Sequence, residues 1–297
     1  MGVLDEISQS VKSIAQELNG SIVGVGHRWA TGSGIVTVPG QVVTNAHNVR
    51  SEEVSVTFGD GRTETGTVKG IDGDADLAVV AVDTGNAKVL EFADPASLEI
   101  GSPVFAASNP GGQGLRVTFG LVSGVQRSFR GPRGRMIRGA VEHTAPLLPG
   151  SSGGPLLDGS GTVLGINTNR LGEGFYLAIP ADDALRAQLE SLSRGEATSR
   201  PRLGVGIAPS HVAKGLRRAV GLPEVEGLLI RHVEEESPAA RAGLAEGDLI
   251  VELAGQVVAG VDRLYEVLES AGSEFGVKVL RGTEERELTV QIGESTQ

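Results

Sequence analysis

The sequence predicts a mainly β protein: a β-rich unit built from many short strands, followed by a smaller α+β unit. Three observations carry this expectation. Glycine reaches 44 of 297 residues while aromatics are only 3%, a mix that suits short strands joined by tight turns. Between Ser21 and Ile179, β-prone runs recur at short intervals, broken by Gly, Pro, Asn and Asp, as they do in barrels and sandwiches. The length is about twice that of a typical domain and leaves room for two cores.

In residues 1–20, Leu4, Ile7, Val11, Ile14 and Leu18 alternate at spacings of three and four, one apolar stripe on a helix. The stripe serves either packing on its own unit or contact with another subunit. The runs SIVGVG, GSGIVTV, QVVTNAH, EEVSVTF, TETGTVKGI, DLAVVAV, PVFAAS, LRVTFGLVSGV, RMIRGAVEH, VLGINT and FYLAI follow as strands. From Asp182 to Arg194, Leu185, Leu189 and Leu192 share a face and Gly195 follows, which reads as a closing helix with its cap. Residues 21–195 form the first unit. The small, polar stretch 196–202 is the linker. Residues 203–293 alternate strands with the helix-like VDRLYEVLES.

Net charge is −11 and cysteine is absent. The acidic balance disfavours nucleic acid as a partner, and the missing thiols exclude disulfides and cysteine nucleophiles. The five histidines lack ligand spacing, so neither a metal nor any other cofactor is expected. Arg127, Arg130, Arg133, Arg135 and Arg138 make one basic loop in this acidic chain, a solvated loop or a contact for acidic residues such as Glu234–Glu236. No apolar run reaches the roughly 20 residues that span a bilayer. The first twenty residues lack the basic and apolar regions of a secretory signal. A chain native from Met1 is then expected in the cytoplasm, and a truncated one outside it, for example in a periplasm.

Three clusters carry chemistry. In Gly150-Ser151-Ser152-Gly153-Gly154-Pro155-Leu156, glycines surround a serine; they permit a tight turn and close substrate approach, and the Gly150 and Ser152 amides supply donors for an oxyanion. In Val42-Val43-Thr44-Asn45-Ala46-His47, a β-run ends in a histidine, the side chain suited to take and return a proton near neutral pH. In Asp74-Ala75-Asp76-Leu77, an acid abuts an apolar strand. Asp76 is better placed for burial beside that strand than Asp72 or Asp74, and an acid there would orient the imidazole. The chain order His47, Asp76, Ser152 is that of chymotrypsin-type proteases, not of subtilisins or α/β-hydrolases.

GSGIVTVPGQVVTNAHNV, DADLAVVAV and PGSSGGPL resemble the motifs of the HtrA (Deg) family of serine proteases, and the likeness continues through GTVLGINTNR and YLAIP. The resemblance implies a chymotrypsin-like double β-barrel, roughly residues 21–97 and 100–180, with His47 as base, Asp76 as orienting acid and Ser152 as nucleophile. It implies an oxyanion hole from Gly150 and Ser152. Two departures stand out: Ser151 replaces an Asn common before the nucleophile, and His143-Thr144 stands where Thr-Asp is usual. Pro146, six residues before Ser152, occupies the place of the acid in enzymes that cut after Lys or Arg. With Leu147 and Leu171, it points to small or medium apolar P1 residues.

Residues 203–293 resemble the PDZ domain of the same family, above all in Ser237-Pro238-Ala239-Ala240-Arg241-Ala242-Gly243-Leu244 and GDLIVELAGQVV. A peptide C-terminus would add beside Val205, Gly206 and Ile207, with its carboxylate at the Leu203, Gly204 and Val205 amides. Leu264, Val267 and Leu268 would line the side-chain pocket. The expected function is a cofactor-free serine endopeptidase acting on unfolded proteins, with C-terminal peptides at the PDZ domain and a homotrimeric assembly implied by the family. The alternative is a chaperone or PDZ adaptor on a latent protease scaffold. NPGGQG, residues 109–114, lacks the Lys-Ser/Thr of a phosphate loop and reads as a turn.

Overall fold

The computed structural model describes residues 2–26, 32–93, 98–131, 136–172, 174–196 and 201–292, without the side chains of 169–172 and 269. The chain divides into two compact units, residues 1–198 and 199–297.

The first unit opens with helix α1 (Val3–Leu18), followed by β1 (Ile22–Val25), β2 (Gly32–Val38), β3 (Gln41–Thr44), β4 (Glu53–Thr57), β5 (Thr63–Asp72) and β6 (Leu77–Ala81). These strands close into a barrel in the order β1-β2-β3-β6-β5-β4. Six more follow: β7 (Pro103–Ser108), β8 (Arg116–Arg130), β9 (Met136–His143), β10 (Pro155–Leu157), β11 (Val163–Gly172) and β12 (Phe175–Pro180). They close a second barrel, β10-β11-β12-β9-β8-β7. The sequence pattern misses only β10, a three-residue strand leaving the serine turn.

Strands β1, β2, β3 and β6 of the first barrel are buried on both faces because two cores claim alternate residues, whereas β4 and β5 keep one face toward solvent. Val23, Val36, Val42, Val56 and Val80 pack inside the barrel. Their neighbours Ile22, Ile35, Val43 and Val79 join Phe105, Leu157 and Ile166 of the second barrel in a shared core. Helix α2 (Asp183–Ser193) seals that core with Leu185, Leu189 and Leu192, and Asp182 caps it by accepting from Leu185 N at 2.9 Å. Helix α1 contributes Ile14 and Leu18 to the same core, with Ile7 and Val11 partly buried, whereas Leu4 is 81% exposed. The apolar stripe is therefore used over its C-terminal part only.

The second unit contains β13 (Val205–Ala208), α3 (Ser210–Ala219), β14 (Leu228–Val233), α4 (Pro238–Ala242), β15 (Asp248–Leu253), β16 (Gln256–Val257), α5 (Val261–Ser270), β17 (Glu274–Arg281) and β18 (Glu284–Gln291). The sheet order is β13-β14-β15-β17-β18, with the short β16 on β15. Strand β13 is thus an end strand. The helices α3 and α4 are additions to the pattern read from sequence. Ser237 caps α4 by accepting from Ala240 N, and Gly243 ends it in the left-handed conformation at φ 81°, which glycine adopts without a Cβ penalty.

Candidate active site

His47 sits in a 3-10 turn at the end of β3, and Asp76 in the turn that enters β6. Strands β3 and β6 are paired, Thr44 opposite Ala78, so two turns 29 residues apart in sequence emerge side by side. Asp76 takes a left-handed backbone, φ 57°, which Asp tolerates better than most residues. Asn45 Nδ2 donates to its carbonyl at 2.9 Å. Asp72 builds the turn by accepting from the amides of Asp74 and Ala75 at 2.8 and 2.9 Å.

The Asp76 carboxylate is fully buried and surrounded by donors. His47 Nδ1 lies 2.9 Å from both oxygens, His47 N donates to Oδ1 at 3.1 Å and Thr168 Oγ1 donates to Oδ2 at 2.6 Å. An ionised carboxylate only accepts, so the facing Nδ1 carries a proton and Nε2 is left as the acceptor. The His47 side chain is 36% exposed. The ring is therefore accessible to a reactant.

Ser152 lies in the turn preceding β10, half-buried. Its Oγ donates to Thr168 O at 3.0 Å, and among the described residues no hydrogen bond joins Oγ to His47 Nε2. Its carbonyl accepts from Ser33 N at 2.8 Å and Asn48 Nδ2 at 3.0 Å. Gly150 and Gly153 flank it at φ 86° and 88°. A Cβ on Gly153 would stand 2.1 Å from Ser33 O, so side chains are excluded there by space as well as by conformation. Among the described residues the amides of Gly150 and Ser152 have no internal acceptor. Two donors beside a serine hydroxyl are what a developing oxyanion requires.

A cavity of about 170 Å³ adjoins Ser152, lined by Leu147, Leu148, Pro149, Gly150, Ser151, Thr168 and Tyr176. Leu147, expected from the sequence in the P1 region, is among the lining residues. Pro146 is not among the lining residues; it is exposed and its carbonyl accepts from Thr118 Oγ1 at 2.8 Å. The side chain of Leu171 lies outside the described residues. Tyr176 stacks on the buried His143 at 5.8 Å. Burial pushes the His143 imidazole down to about 4 from the ordinary 6.5, against a hydrogen bond to Asn167 Oδ1 that favours the cation.

Thr168, Asn48, Asn167 and Ser33 were missed in the sequence, where nothing local marks them. Asn167 clamps the serine turn: its carbonyl accepts from Gly153 N at 2.7 Å and its amide donates to Gly154 O at 2.9 Å. Ser151 Oγ donates to Ser108 Oγ at 2.9 Å, both residues buried. The arginines read as one basic loop are mostly on strands instead: Arg127 and Arg130 lie in the long β8 and Arg138 in β9. Arg127 pairs with Glu142 at 3.1 Å, while Arg133 and Arg135 lie outside the described residues, as do residues 197–200 of the expected linker.

In the second unit Gly204 is left-handed, φ 76°, and a Cβ would stand 2.3 Å from Ser237 Cβ. Leu203 is buried and Val205 and Ile207 half-buried, with Gly206 exposed between them. Leu264, Val267 and Leu268 are only 1–3% exposed. They belong to the core on which Val205 and Ile207 pack, with Val261 and Tyr265 of the same helix partly exposed beside them.

The trypsin-like peptidase domain profile matches residues 32–166 and a PDZ domain profile residues 229–281. A probable periplasmic DegP-like serine endoprotease of Halomonas elongata is 35% identical over 276 residues, covering 90% of this chain and 57% of that one. The chain thus spans little more than half the length of that relative. The Do-like serine protease HtrA of Lactobacillus helveticus is 31% identical over 285 residues, 89% of this chain and 68% of that one. Among solved structures, an HtrA-type protease, AlgW, with a tripeptide is 26% identical, with a TM-score of 0.60 and coverage of 95% and 96%. With both profiles in chain order and these relatives spanning both units, the chain belongs to the HtrA (Deg) family of trypsin-like serine proteases with a PDZ domain.

Proposed function

We propose that this chain is a cofactor-free serine endopeptidase in which Ser152 is the nucleophile, His47 the general base and Asp76 the orienting acid. The observation that carries the reading is the His47 Nδ1 contact at 2.9 Å to a carboxylate that is itself fully buried. It fixes the tautomer that leaves Nε2 free to accept a proton. Ser152 Oγ turns from Thr168 O toward Nε2, passes it its proton and attacks the peptide carbonyl. The new C–O bond pushes the carbonyl electrons onto oxygen, between the Gly150 and Ser152 amides. The imidazolium returns its proton to the leaving amine as the C–N bond breaks, and water then releases the acyl group with His47 again as base.

Leu147, Leu148, Pro149 and Tyr176 line the adjoining cavity, and among the described residues no acid lines it, which supports an apolar P1 side chain. The end-strand position of β13 and the left-handed Gly204 support capture of peptide C-termini by the PDZ domain. Family membership supports unfolded proteins as substrates and assembly into trimers; equilibrium sedimentation tests the latter.

A second reading has an observation of its own: the Ser152 hydroxyl donates to Thr168 O, a resting geometry suited to a latent protease or an adaptor. Fluorophosphonate labelling, with and without a C-terminal peptide, separates the two. Labelling of the wild type that Ser152→Ala abolishes, with casein cleavage falling about 10⁶-fold, supports the protease. Labelling only with peptide supports latency, and none in either condition supports the adaptor. Among the described residues no helix is long and apolar enough to cross a membrane.

A further inference from the structure

Ser33 lies in β2 of the first barrel, is wholly buried and meets the serine turn of the second barrel with three groups. Its amide donates to Ser152 O at 2.8 Å. Its hydroxyl donates to Gly150 O at 2.9 Å and accepts from Asn109 N at 3.0 Å. Its carbonyl faces Gly153, where it leaves no room for a Cβ, and accepts from Thr44 Oγ1 at 2.6 Å. A backbone N–H can only donate, so the Asn109 amide occupies a lone pair of the Ser33 oxygen and directs the hydroxyl proton to Gly150.

We propose that the Ser33 side chain is a positioning residue for the oxyanion hole. This rests on the proteolytic reading above. Gly150, at φ 86°, has the freedom of glycine to rotate its amide out of place. The peptide plane joining Gly150 to Ser151 is held at both ends, its carbonyl by Ser33 Oγ and its N–H by Leu148 O at 3.1 Å. That fixes the peptide plane that follows the Gly150 Cα, and with it the point from which the preceding plane presents the Gly150 N–H beside that of Ser152. Asn109 fixes the latch in turn: it starts the Pro110–Gly112 turn and its side chain accepts from Gly114 N at 3.0 Å. The glycine-rich 109–114 segment, which has no phosphate to bind, thereby acts on the catalytic turn. Without the hydroxyl, the Gly150 carbonyl and the Asn109 amide both lose a partner at a buried junction.

The test compares wild type, Ser33→Ala and Ser152→Ala by fluorophosphonate labelling rate, by kcat and KM on a chromogenic peptide with an apolar P1, and by inhibition with a peptidyl boronate. The boronate's tetrahedral adduct places an oxygen where the oxyanion forms. In Ser33→Ala, labelling and kcat should fall about 10- to 100-fold, KM should stay within about twofold, and boronate inhibition should weaken in step with kcat. Labelling and turnover at the wild-type rate, or a loss no larger than the unfolded fraction, overturn the proposal. Should the alanine variant not fold, Ser33→Cys, which fills the site with a somewhat larger group that donates weakly, is judged by the same criteria. A wild type that does not label, or labelling that survives in Ser152→Ala, overturns the protease reading instead.

Discussion

Thr168 donates its hydroxyl to the buried Asp76 carboxylate at 2.6 Å, while its own carbonyl accepts from Ser152 Oγ at 3.0 Å. One residue of β11 therefore holds Asp76 and Ser152 together. Thr168→Val keeps the shape and removes the donor from a buried charge. A hydrogen bond to a charged group contributes about 1.5–3 kcal/mol, so kcat should fall about tenfold or more with KM little changed. Steady-state kinetics beside a thermal melt check it.

Asp76→Asn should leave the fold intact and lower kcat by about 10⁴-fold. The amide can present N–H to Nδ1, which then becomes the acceptor and leaves Nε2 protonated. Fluorophosphonate labelling should slow in parallel. A variant that labels at the wild-type rate would remove Asp76 from the mechanism.

Acid should destabilise the protein through His143. Its imidazole is held down at about 4 by burial against an ordinary 6.5, so between those values the unfolded chain binds a proton that the folded chain refuses. The associated stability is complete above pH 6.5 and is lost as pH falls toward 4, by about 3 kcal/mol in all. Urea midpoints from pH 7.5 to 4.5 should show this slope, and His143→Gln should flatten it.

Gly153→Ala should abolish labelling and cost more than about 2 kcal/mol. The new Cβ would meet Ser33 O at 2.1 Å on a backbone at φ 88°, and neither a rotamer change nor a small shift relieves both. Denaturant titration gives the stability loss independently of activity.

In the PDZ unit, Gly204→Ala should weaken binding of an apolar C-terminal peptide at least about tenfold. The strain falls on the turn whose amides are proposed to receive the carboxylate, with Ser237 Cβ 2.3 Å from the added atom. Fluorescence anisotropy of a labelled peptide measures it, and unchanged affinity would move the carboxylate site elsewhere.

The fold class was legible because strand alternation and turn chemistry are local signals. Helix α2 was equally plain, since Asp182, three leucines and Gly195 mark its start, face and end. The α3 helix was not: it follows Pro209, contains Gly215, and buries only Ala213 and Arg217, so its apolar stripe is thin. Within the site, His47, Asp76 and Ser152 stood out through their flanking runs. Thr168, Asn167 and Ser33 act through hydroxyl, amide and backbone groups on partners as far as 117 residues away. Such contacts leave no period or spacing in a sequence. The PDZ groove was read from likeness to a motif, which names positions but not depth, and Leu264, Val267 and Leu268 prove almost wholly enclosed.

The first barrel has two insides. Strands such as β1 and β6 present no broad face to water, so amides there should be among the last to exchange their hydrogens with deuterated solvent. The turns that carry His47, Asp76 and Ser152 are anchored to strands of that kind. Variation can therefore rebuild the rim, and with it what is cut, over a frame in which almost every substitution is felt.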